Sequence, residues 1–221
     1  MRASLSIQSA EAGHAALHEA AMVSGYLGAA LGAAMVIPQM IRVVRNRTLA
    51  GVSSLAWSLT GLSCFTWLLY GVRTHEIPQI AGNVIIVTGA VMIALLVPSV
   101  APRRIRAGAL VAAMLALSLV AVVALPTVLG LAAFGIGVFS SWPQVIASFT
   151  RDPSLRSAVS RGAWALRCGS QLAWLFYAVV IHDVAVTISA CTLLTSAILV
   201  LAFERRRTVP VEIAEPALVL C

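Results

Sequence analysis

The sequence predicts an all-α integral membrane protein of seven transmembrane helices, arranged as two parallel three-helix repeats joined by a linker helix. Three observations carry this. The 221 residues are 60% hydrophobic and 10% charged, with a mean hydropathy of +0.96, too little polar surface for a soluble domain of this size. Trp57, Trp67, Tyr70 and His75 recur as Trp164, Trp174, Tyr177 and His182, all at one constant offset, and Pro38-Gln39 recurs as Pro143-Gln144 at nearly the same offset. Finally, the basic residues gather in alternate connections. A duplicated apolar unit in a membrane marks a carrier whose substrate site lies where the halves meet.

Apolar stretches of the roughly 17–25 residues needed to cross a bilayer fall at 22–41, 54–72, 77–97, 107–125, 127–147, 162–181 and 184–203. Residues 1–21 read as an exposed N-terminal leader without the uninterrupted apolar core of a signal peptide. Residues 22–97 form the first repeat, 98–126 the linker, 127–203 the second repeat and 204–221 a tail. A three-span unit entering from one side finishes on the other, so a directly fused copy would be inverted. Helix 4, which carries Ser118 as its only hydroxyl and no charge within the apolar run, restores the orientation and reads as a lipid-facing linker. Gly25, Gly28 and Gly32, with Gly130, Gly135 and Gly137, read as packing surfaces, since small residues let helices approach in lipid.

The formal charge is +7, and all fifteen basic residues are Arg. Twelve follow helices 1, 3, 5 and 7 (Arg42, Arg45, Arg47; Arg103, Arg104, Arg106; Arg151, Arg156, Arg161; Arg205, Arg206, Arg207), the opposite connections hold only Arg73, Arg167 lies within helix 6, and Arg2 alone departs from the pattern. Alternation of this kind is the positive-inside pattern, which places the N-terminus outside and the C-terminus in the cytoplasm, and it excludes a nucleic-acid-binding face. His14 and His18 stand one turn apart without a third ligand, so no metal site is expected. Cys64, Cys168 and Cys191 lie within apolar spans, where a thiol behaves as a small hydrophobe. The sequence calls for no cofactor.

The run PQMIRVVRNRTLAGVS (38–53), then WLLYG (67–71) and IPQIAGN (77–83), resembles the SWEET and SemiSWEET sugar transporters of the PQ-loop superfamily. The order and spacing of Gln39, Trp67 and Asn83 along the chain agree with that family as well. The copy WPQ (142–144) with WLFYA (174–178) resembles the family more weakly. The resemblance implies that Trp67 and Trp174 stack on a sugar, that Asn83 binds its hydroxyls, and that Pro38 and Pro143 let helices 1 and 5 swing for alternating access. A proline inside a helix removes one backbone hydrogen bond, and Gln39 and Gln144 can bond the groups left free. Trp57 and Trp164, near the helix ends, read as interfacial anchors.

The second repeat departs from the pattern. Ala190 stands where Asn83 has its counterpart, with Thr187 and Cys191 as the nearest polar substitutes. Arg167, Gln171 and Trp174, at i, i+4 and i+7, share one face of helix 6. Arg167 is the single charge well inside a span: it either faces the pathway, which favours an anionic solute, or snorkels to the headgroups. All eight acids fall outside the apolar spans, leaving no membrane-depth relay and favouring a uniporter. His75-Glu76 and His182-Asp183, with Tyr70 and Tyr177 one turn away, occupy corresponding outer loops where Tyr70, Glu76, Tyr177 and Asp183 could close a gate.

The function these readings favour is facilitated transport of a small solute, a sugar, across the plasma (inner) membrane. The alternatives are a carrier for an anionic or amino-acid-like solute, or a PQ-loop receptor that does not transport. An intramembrane enzyme would need a base or metal ligands at membrane depth, and none is read there. Two repeats complete one pathway, so a monomer suffices, although homo-oligomers occur in the family.

Overall fold

A computed structural model describes residues 2–46, 53–97, 100–150 and 161–205; the side chains of residues 2–10, Pro38, Gln39, Arg42, Arg45 and Asn46 lie outside that description. Seven helices follow one another: α1 (Arg2–Asn46), α2 (Ser54–Thr74), α3 (Ile77–Leu96), α4 (Arg103–Val123), α5 (Pro126–Thr150), α6 (Arg161–Val180) and α7 (Val184–Arg205). Ends that the sequence left uncertain are fixed by local chemistry. Ser53 caps α2 by accepting from the Ala56 amide at 3.2 Å. His75 and His182, with φ of 61° and 59°, are the left-handed residues that end α2 and α6 and turn the chain directly into α3 and α7. The Arg73 guanidinium donates to the carbonyls of Val122 (3.4 Å) and Ala124 (3.5 Å), satisfying the end of α4 before Pro126 starts α5.

Six of these helices are long and apolar enough to cross a membrane; α1 qualifies over Glu11–Ile37. The seventh, α6, falls short of the sequence expectation because Arg161, Arg167 and Gln171 lower its hydropathy. It nevertheless packs between α1 and α7. Large apolar side chains such as Leu115, Leu119, Val122, Phe139 and Val179 are exposed around the bundle, as lipid contact requires. Helix α1 is continuous from Arg2, and residues 11–20 on it, His14 and His18 included, are exposed.

Within each repeat the third helix sits between the first two, α3 against α1 and α2, α7 against α5 and α6. The repeats meet along two crossed seams, α1 on α6 and α2 on α5. Helix α4 leans on α2 and the edge of α3, burying only Leu110 and Ala121. It is more than a spacer, because its first turn returns a guanidinium to the bundle. Arg106 Nη1 donates to Ser54 Oγ (2.6 Å), to the Val97 carbonyl (2.9 Å) and to the Ala94 carbonyl. In the second repeat the position matching Ser54 is Arg161, which donates to the carbonyl of Glu204 (2.9 Å), the residue matching Val97. A guanidinium thus ties the same helix ends in both halves, contributed by the linker in one and by α6 itself in the other.

The seams are built from small residues. A Cβ on Gly25 would meet Tyr177 Cδ2 at 2.9 Å and Pro78 Cβ at 3.0 Å, and one on the matching Gly130 would meet Ala185 Cβ at 2.6 Å and Tyr70 Cε2 at 3.2 Å. Gly28 admits the Trp174 indole (3.0 Å) and Gly137 the Ser63 hydroxyl (3.1 Å). Gly135 is different: nothing lies within 4 Å of the Cβ position, so the packing role expected for it does not hold.

Two serines cross the seams in register. Ser63 Oγ donates to the Ala133 carbonyl and Ser170 Oγ to the Gly28 carbonyl, each at 2.8 Å. Ser63 and Ser170 are related by the offset of the aromatic repeat, and their acceptors Gly28 and Ala133 by the offset of the Pro-Gln pairs. Gly130→Val should therefore destabilise the protein by about 1–3 kcal/mol through overpacking, while Gly135→Val leaves stability unchanged. Thermal unfolding of the detergent-solubilised variants, followed by size-exclusion chromatography, checks this, and equal losses at the two positions would contradict the seam geometry.

Candidate solute-binding cavity

Between the repeats lies a cavity of about 400 Å³, in the range of small-molecule sites. The sequence placed Trp67, Asn83, Gln171, Arg167, Trp174 and Ala190 at the substrate site, and all six line this cavity. Trp174 rests in a cradle of glycines, over Gly28 and within 3.9 Å of the Cβ position of Gly82. Trp67 is 9% exposed. Each indole meets the tyrosine three residues on at an edge: Trp67–Tyr70 at 5.4 Å and 85°, Trp174–Tyr177 at 5.5 Å and 83°. Edge-to-face pairs of this kind hold ring orientation as well as burying area.

The two walls differ in polarity. On α3, Asn83 Nδ2 donates to the Gln79 carbonyl (2.8 Å) and to Gln79 Oε1 (3.2 Å). The bonds lie within one helix rather than between helices, and the amide's Oδ1 accepts from none of the described residues. On α7 the matching positions are Val186 and Ala190. Ser189 lines the cavity there instead, whereas Thr187 bonds the Asp183 carbonyl at 2.6 Å and Cys191 is exposed. Neither of those two supplies the missing amide.

Arg167 is directed inward. Its Nη2 donates to Ser141 Oγ on α5 at 2.7 Å, and its guanidinium carbon stands 5.3 Å from the Trp164 ring centroid. Nε is buried without a partner. Trp57 and Trp164 also line the cavity rather than anchoring at the lipid interface: Trp57 packs on the Val36, Val43, Ile93 and Val97 cluster, and Trp164 lies under the guanidinium. Beyond the predicted residues, the wall includes Thr60, Ser63, Ser140 and Ser170. Of these, Ser63 and Ser170 were discoverable by applying the repeat offset to hydroxyls as well as to aromatics.

At the end of the bundle carrying the His75 and His182 turns, the predicted gate residues come together in crossed pairs. Tyr70 of the first repeat donates to Asp183 Oδ2 of the second at 2.7 Å, and Tyr177 of the second donates to Glu76 Oε2 of the first. Asp183 also caps α7, its Oδ1 accepting from the Val186 amide at 3.0 Å. The four side chains sit beside the largest buried cluster, in which Trp67, Tyr70, Leu129, Ala133, Tyr177 and Ala185 come from both repeats. At the arginine-rich end the buried apolar cluster (Val36, Val43, Ile93, Val97) stays within the first repeat. Among the described residues, the cluster and the hydrogen bonds that join the two repeats close the cavity at the turn end.

Of the predicted hinge residues, Pro38 and Gln39 lie within the α1 range but their side chains fall outside the described residues. Pro143 lies inside α5. Gln144 does not bond the backbone freed by the proline: its Nε2 donates forward to Ser148 Oγ (3.2 Å), which in turn donates to Glu204 Oε1 (3.0 Å). Glu204, placed by the sequence at the start of the tail, is 2% exposed and buried at the end of α7. Among the described residues no three His, Cys, Asp or Glu side chains are placed to hold a metal ion.

Comparison with protein-family models finds no match, and comparison with the sequences of curated proteins finds none either. Among solved structures, the chain is similar to a eukaryotic SWEET transporter determined at 3.7 Å resolution, with a TM-score of 0.68, 14% identity, and coverage of 85% of this chain and 98% of that one. The protein is a multi-pass membrane protein with the seven-helix fold of a SWEET transporter. That likeness establishes the architecture and leaves the chemistry of the site to this chain's own residues.

If the crossed pairs hold the turn end shut, the double variant Tyr70→Phe/Tyr177→Phe should open it. With Cys64, which lines the cavity, kept as the only cysteine, labelling by a membrane-impermeant maleimide applied at the turn end should accelerate several-fold over the tyrosine-bearing parent. Equal labelling rates would show that the hydroxyl–carboxylate bonds do not close that end.

Proposed function

We propose that the protein is a uniport-type carrier that moves a small polar solute, a sugar, across the membrane by alternating access, and that it is not an enzyme. One observation carries the reading: a cavity between two parallel repeats, flanked by Trp67 and Trp174, lined by the amides of Gln79, Asn83 and Gln171, and closed at one end by bonds between the halves. Indole faces suit the C–H face of a pyranose, and amides suit its hydroxyls. A seal made of contacts between the halves is one that rigid movement of one repeat against the other would break, as alternating access requires.

No Asp, Glu or His is among the described residues lining the cavity. The acids near it stand at the turn-end gate, and buried Glu204 lies at the far end of α7, which supports movement of solute down its gradient without a relay in the pathway. The arginine-rich ends favour placement in the plasma membrane with that side in the cytoplasm, so the closed turn end faces outward. Pro38 and Pro143 are the hinges, loosening α1 and α5 along the seams where the repeats must slide.

A liposome flux assay tests the reading, since only a carrier equilibrates labelled solute across a sealed bilayer; binding without flux would identify a receptor instead. Asn83→Ala should insert and fold, yet lose affinity by roughly 5- to 150-fold, the equivalent of about 1–3 kcal/mol for one or two hydrogen bonds to a neutral ligand. Wild-type flux from that variant would remove Asn83 from the site. Pro143→Ala restores a backbone hydrogen bond and stiffens α5, so turnover should fall more than binding. Weakened binding with normal turnover would rule out the hinge.

A further inference from the structure

Resting on the carrier reading, we infer that the transported solute bears a negative charge, as a sugar acid whose carboxylate is received by Arg167. Among the described residues lining it, the cavity holds one cation and no carboxylate. A guanidinium out of water is costly unless paired. The protein supplies Arg167 with one hydroxyl, Ser141 Oγ at 2.7 Å, and the face of Trp164 at 5.3 Å. Nε is left buried with no acceptor among the described residues. Neither partner is charged, so the site is incomplete until an anion arrives. The carboxylate fork matches the planar donor set of a guanidinium.

The arrangement is specific to the second repeat. The position matching Arg167 is Thr60, whose hydroxyl turns back to the Ala56 carbonyl at 2.9 Å. The amide of the first repeat is replaced across the cavity by Ala190. Neutral hydroxyl recognition is thereby concentrated on the α3 wall, at Gln79 and Asn83, while charge recognition is concentrated on α6. A ring between Trp67 and Trp174 that carries hydroxyls on one side and a carboxylate on the other satisfies both walls; a neutral sugar leaves the guanidinium unpaired. Ser141 lies two residues before Pro143, so a carboxylate competing for Arg167 loosens the cavity's tie to the proline-bearing stretch of α5.

Carrying an uncompensated anion moves net charge, which a neutral sugar does not. Proteoliposomes loaded with wild-type protein should take up labelled glucuronate at least tenfold faster than labelled glucose. An inside-positive potential of about 100 mV should raise the equilibrium accumulation of glucuronate about 50-fold and leave that of glucose unchanged. Arg167→Leu should lower the glucuronate-to-glucose ratio at least tenfold, and Arg167→Lys, which keeps the charge, should retain a preference for the acid. Glucose transported as fast as glucuronate by wild-type protein, or accumulation insensitive to potential, overturns the inference while leaving the carrier reading intact. Failure of both solutes to cross overturns the sugar-carrier reading and the inference with it. The wild-type ratio and its voltage response decide the matter even if Arg167→Leu does not fold.

Discussion

The closeness of α1 to α6 and of α2 to α5 is the constraint on which the other features depend. Lipid offers apolar surfaces no hydrophobic reason to associate, so the halves are held by close packing and by the few polar groups that would otherwise be stranded. Gly25 and Gly130 let a tyrosine of the opposite repeat lie against helix backbone. That approach brings each phenol within reach of an acid on the other half. One turn or two further along, Gly28 and Gly137 admit an indole and a hydroxyl. The seams thus set the gate, the ring positions and the cavity width together, and a side chain added at any of these glycines would displace more than its own neighbours.

Duplication has been kept unequally along the bundle axis. At the turn end the two halves are near copies: Tyr70 and Tyr177, Glu76 and Asp183, His75 and His182 in the same left-handed conformation. In the middle they part, with Gln79 and Asn83 facing Val186 and Ala190, and Thr60 and Cys64 facing Arg167 and Gln171. A seal formed between halves needs complementary contributions from each, so symmetry is retained there. The walls of the cavity carry no such constraint, and they have diverged.

Much of this was legible in the chain. Seven apolar runs, the constant offset between matching aromatics and the alternate arginines sufficed for the helix order and the repeat, and they placed Trp67, Asn83, Arg167, Gln171 and Trp174 on faces that turn out to share one cavity. The misreadings share a physical cause: they concern where a polar group finds its partner across space. Trp57 and Trp164 lie near helix ends, where depth alone suggests lipid headgroups, but a concave inner surface is available to them. Gln144 bonds Ser148 because a hydroxyl one turn ahead competes with the backbone freed by Pro143. Glu204 looked like the start of a tail, yet its neighbours on α5 and α6 bury it. Arg106, one of three basic residues in a connection, gave no sign that it would serve a helix end in place of a residue the first repeat lacks.

The gate bonds are exchanged between the halves rather than formed within them, and this makes the seal a single cooperative unit. Because each tyrosine reaches the other repeat's acid, moving one half away from the other lengthens both contacts in the same motion. Hydrogen bonds to a charged acceptor are worth about 1.5–3 kcal/mol each, so two that break together set a threshold of about 3–6 kcal/mol. The turn end would then seldom open, held by the arithmetic of paired bonds together with the apolar cluster beside them.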